Sequence, residues 1–190
     1  MKIASWNVNS LKVRLPQVLD WINLNQPDVL CLQETKQNND NFPHDVFEKR
    51  GLFSYHNGQN TYNGVAIISN KELIDVQFDI PNFYDEQKRL ISGIYPNDED
   101  PKFRVISAYI PNGQSLNSDK FEYKMNWLKS FINFLQTKID GIENIITGDF
   151  NIAPSTLDCY DSKSWDGKIL VSPQEREYFD KLLNLGFIDT

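Results

Sequence analysis

Apolar residues along the chain gather in short runs separated by polar turns, and most runs have the composition of strands. The pattern predicts strands over residues 2–9, 28–33, 54–56, 64–69, 74–80, 89–95, 103–110 and 144–147. Three stretches follow a helical period instead. Leu15, Val18, Leu19 and Ile22 fall on one face, with Pro16 placed near the start, where its missing N–H costs nothing. Phe121, Leu128, Phe131, Ile132, Leu135 and Ile139 form a longer stripe, with Asp119 and Glu122 where a helix N-terminus favours acids. Ser172-Pro173-Gln174-Glu175 is a capping box with proline at the first helical position, and Gly186 is a fitting C-terminal stop.

Strands in this number with helices between them predict an α+β fold in which two packed sheets are flanked by helices, because each sheet needs cover on both faces. Residues 37–41 and 96–101 read as loops too short to link domains, and no internal repeat interrupts the pattern. Past Gly186 the chain turns apolar again at Phe187 and Ile188, as a strand would begin. The expectation is a single domain over residues 1–190 whose C-terminal part is missing.

Composition adds limits. With 40% hydrophobic and 13% aromatic residues, a chain of 190 can bury one substantial core. The longest apolar runs, Val29 to Leu32 and Val65 to Ile68, fall far short of the roughly 20 residues needed to span a bilayer. The first residues lack a signal-peptide core, so the expectation is a soluble, cytoplasmic protein with no membrane partner. Cys31 and Cys159 form neither a disulfide framework nor a zinc pattern. A formal charge of -7 argues against bulk electrostatic gripping of nucleic acid, yet a site that holds Mg²⁺ must itself bring carboxylates.

Three places have the residue types for chemistry. A buried strand over 28–33 runs straight into Glu34 and Thr35, and strand ends fix a side chain while leaving it open to ligand. Ile145 to Asn151 repeats the device, with Gly148 allowing close approach and Asp149 and Asn151 two residues apart, able to face one ligand. Asn7 and Asn9 alternate on an otherwise buried strand, and buried amides need partners. Each has a plainer alternative: a solvated loop for Glu34, a common Gly-Asp turn, a structural amide network. Together they supply one metal carboxylate, a further acid and several amides, a sparse oxygen set that suits Mg²⁺ better than zinc. His44 and His56 read as surface or turn residues.

Asn7-Val8-Asn9, Leu32-Gln33-Glu34-Thr35-Lys36, Tyr109-Ile110-Pro111-Asn112-Gly113 and Gly148-Asp149-Phe150-Asn151-Ile152 stand in an order and spacing that resembles the endonuclease/exonuclease/phosphatase superfamily. Gln87-Lys88-Arg89-Leu90-Ile91 and Pro173-Gln174-Glu175-Arg176-Glu177 extend the likeness over the whole chain and make it most similar to the exonuclease III branch. The resemblance implies a four-layer α/β/β/α sandwich of two mainly antiparallel sheets. It implies Mg²⁺-dependent hydrolysis of DNA phosphodiesters that leaves a 3′-hydroxyl and a 5′-phosphate, with Mn²⁺ able to substitute.

By that resemblance Glu34 ligates the metal, helped by Asn7, Asp149 and Asn151. Asp149 orients or deprotonates the attacking water, Asn151 holds the phosphate, and Tyr109 reaches the scissile phosphate. Arg89, Asn112 and Lys120 are the expected DNA contacts. The implied partner is double-stranded DNA with abasic sites or blocked 3′ ends, bound by a monomer. The resemblance also implies a later stretch with a catalytic Asp-His pair, absent from these residues, and hence little activity from the 190 residues alone. Two other readings stay open: a superfamily phosphodiesterase or phosphatase on another substrate, and a non-catalytic nucleic-acid-binding regulator.

Overall fold

Strands form where the short apolar runs predict them. The computed structural model describes residues 1–96 and 103–190, so the loop expected over 96–101 lies, beyond its first residue, outside the described residues. Among the described residues there are eight strands: β1 (Ile3–Asn7), β2 (Val29–Gln33), β3 (Phe53–Asn57), β4 (Val65–Ser69), β5 (Ile74–Phe78), β6 (Leu90–Tyr95), β7 (Phe103–Tyr109) and β8 (Glu143–Asp149). The helices are α1 (Leu11–Asn25), α2 (His44–Glu48), α3 (Asp119–Thr137), α4 (Ser162–Trp165) and α5 (Pro173–Asn184). The expected loop over 37–41 contains a short 3₁₀ turn, Asn39–Asn41. Among the described residues no helix is long and apolar enough to cross a membrane.

The chain divides into two compact units. The first comprises residues 1–109 and 140–149, the second residues 110–139 and 150–190. All of the strands belong to the first. They form two four-stranded sheets, ordered β1-β2-β4-β3 and β5-β6-β7-β8. Each sheet is antiparallel except for one parallel pair, β1 with β2 and β7 with β8. A parallel pair needs a long crossover, and α1 supplies it between β1 and β2.

The two sheets of this unit bury their facing sides against each other. Val29, Cys31, Val65 and Ile67 pack there with Ile91, Tyr95, Phe103 and Val105. β2 and β4 are buried at every position, which is why they read as unbroken apolar runs rather than alternating ones. The other face of the first sheet, through Leu30, Leu32, Ala66 and Ile68, is covered by Leu11, Val18 and Ile22 of α1 and Phe47 of α2.

Two local expectations are corrected. β1 ends at Asn7 rather than continuing to Asn9, because Asn9 and Ser10 take positive φ of 42° and 86° and turn the chain into α1. That helix begins at Leu11, so Pro16 sits inside it and not near its start. Its first turn has no side-chain cap bond, a deficit of about 1 kcal/mol. Leu11 is fully buried, and burying such a side chain contributes about 1.5–3 kcal/mol, enough to set the start there.

In the second unit, α3 opens as expected: Ser118 caps it by accepting from the Phe121 N–H, with Asp119 and Glu122 in the first turn. Phe121, Leu128, Phe131, Ile132 and Leu135 are buried, while Ile139 lies beyond the helix end and is exposed. The capping box of α5 is present, Ser172 and Glu175 each accepting from the other's backbone N–H, and Gly186 follows the helix with φ of 97°.

Candidate active site

Two loops define the site in the first unit, one after β1 and one after β2. They are laced together by backbone bonds from Val8 N to Gln33 O, Ser10 N to Glu34 O and Leu11 N to Thr35 O, at 3.0, 2.8 and 3.0 Å. The second loop is also held to β4's entry, Thr35 N and Lys36 N donating to Gly64 O and Asn63 O. Glu34 and Lys36 both sit at φ of 54°, left-handed backbone that costs non-glycine residues about a kilocalorie or more each and persists only where surroundings enforce it. The lacing is what enforces it. Strain at these positions is a reason to look for function there.

Asn7 joins the two carboxylates. Its Nδ2 donates to Glu34 Oε1 and to Asp149 Oδ2, both at 2.9 Å. Its own Oδ1 accepts from the Asn9 backbone N–H at 3.0 Å, which fixes the amide's orientation. Asn9 therefore acts from the turn, and its Oδ1 accepts from Lys36 Nζ at 2.5 Å. Glu34 is further held by Lys36, 2.9 Å from its Oε2, and by the Tyr109 hydroxyl, which donates to Oε1 at 3.0 Å. Asp149 reaches the site from the end of β8, paired in register with Tyr109 at the end of β7.

Electrostatics follow from these contacts. Partial burial pushes the Glu34 carboxyl up, but hydrogen bonds from Asn7, Lys36 and Tyr109 and the Lys36 charge outweigh it, and its pKa lies below the ordinary glutamate value. Burial, together with the Glu34 charge beside it, pushes the Tyr109 hydroxyl up to about 12. Tyr109 is thus a proton-bearing donor throughout the neutral range.

Arg89, expected as a DNA contact, is buried. Its guanidinium lies over the Tyr109 ring at 4.7 Å from the centroid, and its Nη1 donates to Tyr109 O at 3.1 Å. Gln87 Oε1 accepts from the same guanidinium at 3.0 and 2.7 Å. Asn151, Asn112 and Lys120 belong to the second unit. Asn151 is half-buried at φ of 48°, its Nδ2 donating to Ile110 O and its Oδ1 accepting from Asn112 Nδ2, at 2.9 and 3.3 Å. Asn112 and Lys120 are exposed, Lys120 in the first turn of α3.

Several residues that shape these sites escaped the sequence reading. His56 is buried rather than a surface residue, its Nε2 2.8 Å from Thr35 Oγ1 and its ring stacked on Phe42, so it braces the loop that carries Glu34. Lys36 closes one of the motifs, and the sequence pattern alone gives no sign that it holds Glu34 and Asn9. Lys124 is fully buried on the apolar face of α3, and the signal was there: it falls on the stripe, three residues after Phe121 and four before Leu128.

Among the described residues no three His, Cys, Asp or Glu side chains gather as a metal cage. Glu34 and Asp149, brought to one amide, fit a hard cation that keeps water and phosphate oxygens among its ligands, and fit a zinc-type site poorly.

Comparison with known proteins finds relatives along the whole chain. The model of the Endonuclease/Exonuclease/phosphatase family matches residues 4–183. Recombination repair protein 1 of Drosophila melanogaster is 35% identical over 195 residues, which take in 100% of this chain but 28% of that protein. Exodeoxyribonuclease III of Haemophilus influenzae is 33% identical over 202 residues, covering 100% of this chain and 74% of its own length. Among solved structures, the 3′ phosphatase NExo from Neisseria, bound to product DNA hairpin, superposes with a TM-score of 0.93 at 42% identity over 97% of this chain and 71% of that one. The chain thus spans little more than a quarter of the first of these relatives and about three quarters of the second.

Proposed function

The chain belongs to the endonuclease/exonuclease/phosphatase family, and from that premise we propose that its protein is a DNA-repair phosphodiesterase of the exodeoxyribonuclease III type. The observation that carries the reading is Asn7 bridging Glu34 and Asp149, two carboxylates of one unit held on a single amide. The family is one of metal-dependent nucleases, and the ion proposed here is Mg²⁺, with Glu34 as its carboxylate and Asn7 and Asp149 completing its surroundings within the first unit. When bound, the cation supplies positive charge against the oxygens of the phosphate.

The remaining steps belong to side chains. Asp149 orients the attacking water and accepts its proton, while Asn7 holds that carboxylate in place. Tyr109, kept protonated by burial and by Glu34, turns its one hydroxyl proton from Glu34 to the phosphate when substrate binds, and Arg89 fixes its ring. Attack on phosphorus gathers negative charge on the nonbridging and leaving oxygens, so fixed donors stabilise the transition state more than the ground state. Asn151 and Asn112 are amide donors for the phosphate, and Lys120 is an exposed cation for the backbone.

The substrate class is duplex DNA carrying abasic sites or blocked 3′ ends, with products ending in a free 3′-hydroxyl, and the enzyme acts as a cytoplasmic monomer. The name of the Neisseria neighbour, a 3′ phosphatase, supports including 3′-phosphate ends among the substrates. The test is to offer the full protein, with Mg²⁺ and with EDTA, an abasic-site duplex, a 3′-phosphate duplex, a recessed 3′-hydroxyl duplex and inositol phosphates. The expected result is Mg²⁺-dependent turnover of the DNA substrates, reduced at least about 100-fold by Glu34→Gln. Turnover of the inositol phosphates alone, or cleavage indifferent to Glu34→Gln, would sink the reading.

A further inference from the structure

Within the second unit, Lys124 of α3 and Glu175 of α5 form an ion pair in which both side chains have no exposed surface. Removing two charges from water costs several kilocalories per mole per ion, and an apolar pair of similar volume often gives equal or greater stability. A pair kept in such a place calls for a reason other than stability. Its other contacts supply one. Lys124 Nζ also donates to the backbone carbonyls of Asn151 and Asn112, at 2.6 and 3.3 Å. Those are the two residues whose side chains bond to each other, Asn112 Nδ2 to Asn151 Oδ1.

The surroundings are built to the same end. Glu175 is locked by its capping box, accepting from Ser172 N at 3.1 Å and Ser172 Oγ at 2.7 Å, and by Leu170 N at 3.0 Å. Its carboxylate therefore gives the ammonium a fixed anchor. Gly113, at φ of 88°, lies so close that an added Cβ would stand 3.1 Å from Lys124 Cδ, so the glycine leaves room for the lysine stem beneath the loop. Arg176, next to Glu175, donates from Nε to Ala153 O at 3.1 Å and holds the loop after Asn151 at a second point. Asn151 needs this support, since its left-handed backbone is one that asparagine adopts only at some cost.

We propose that Lys124, anchored by Glu175, is a positioning residue for phosphodiester cleavage: it sets the backbone of Asn151 and Asn112 so that their paired amides meet the phosphate in one geometry. The proposal rests on the reading of Asn151 as a phosphate-binding group. Lys124 itself touches no reacting atom, and its effect passes through Asn151.

A double-mutant cycle on the full protein tests it, with the 3′-phosphate and abasic-site duplexes and Mg²⁺ as probes. Lys124→Met/Glu175→Gln removes both charges at once, so neither is left buried alone. The expected result is a kcat about 100-fold lower with KM changed less than about threefold, the size a misplaced group brings. Introduced into Asn151→Ala protein, the same pair of changes should cost less than about threefold, because the group it positions is already gone. A loss of equal size on both backgrounds, or no loss on the parent, overturns the positioning role. If the double variant does not fold, Glu175→Gln alone carries the cycle, with about a tenfold loss expected on the parent and none on Asn151→Ala. Should Asn151→Ala by itself leave cleavage intact, the reading of Asn151 fails and takes this proposal with it. Additive losses beside a large Asn151→Ala effect defeat the proposal alone.

Discussion

Glu34 shows how little a single residue decides alone. Burial would raise its pKa, and three donors reverse that, so the carboxylate stands charged before any cation arrives. Part of the arrangement comes from His56, whose burial lowers its pKa to about 3, with the nearby His44 adding to the effect. Its neutral ring meets Thr35, the residue after Glu34. Protons bind the unfolded histidine below its ordinary value of 6.5 but bind the folded one only near 3. The folded state is therefore penalised as pH falls through that window, and stability should drop with a slope approaching about 1.4 kcal/mol per pH unit from this residue. Urea unfolding of the parent and of His56→Asn at several pH values between 7 and 4 checks this. The variant should be less stable near neutrality and shallower in its pH dependence, and parallel curves would show that His56 is not the group responsible.

At the level of elements, strand positions were legible because burial on both faces writes unbroken apolar runs, as in β2 and β4, and the capping box of α5 was legible because its residues are local. The ends were less so. Periodicity over residues 2–9 carries no sign that Asn9 and Ser10 take positive φ, and the stripe of α1 gave no reason to begin at Leu11 before Pro16. Tertiary bonds, the lacing of the two loops, decide both. Gly148 is a case where the element and the site meet. It pairs with Ala108 between β7 and β8 at φ of 146°, and an added Cβ would lie 1.9 Å from Ala108 O. Backbone atoms cannot move aside as a flexible side chain would. Gly148→Ala should therefore cost about 3 kcal/mol of stability and displace Asp149 from Asn7. A lowered denaturation midpoint together with a loss of cleavage is the expected outcome, and near-parental values of both would contradict the packing described.

At the scale of the whole molecule, the site depends on contacts that no local pattern reveals. Asn7 and Asp149 stand 142 positions apart in sequence yet share a hydrogen bond, and only the packing of two sheets brings β1 and β8 together. Residue types and order could suggest Glu34, Asp149 and Asn7 separately, but the amide bridge, the Lys36 contact and the buried Lys124 pair are properties of the folded chain. The same folding concentrates like charge, since a chain of formal charge -7 places two carboxylates on one Asn7 amide. Hydrogen bonds from Asn7, Lys36 and Tyr109 already hold Glu34 charged there, and a divalent cation that binds the folded chain alone would add to its stability. Added to the full protein at about ten times its dissociation constant, Mg²⁺ should stabilise the folded state by about 1.4 kcal/mol, or about 3–6 °C in melting temperature. General screening of an acidic surface would give a rise too, so the comparison must separate the two. Matching ionic strength with NaCl, and repeating the melt with Glu34→Gln, does so: the Mg²⁺ increment should persist over NaCl in the parent and vanish in the variant. An increment equal in both proteins would assign the effect to the surface and remove Glu34 from the metal site.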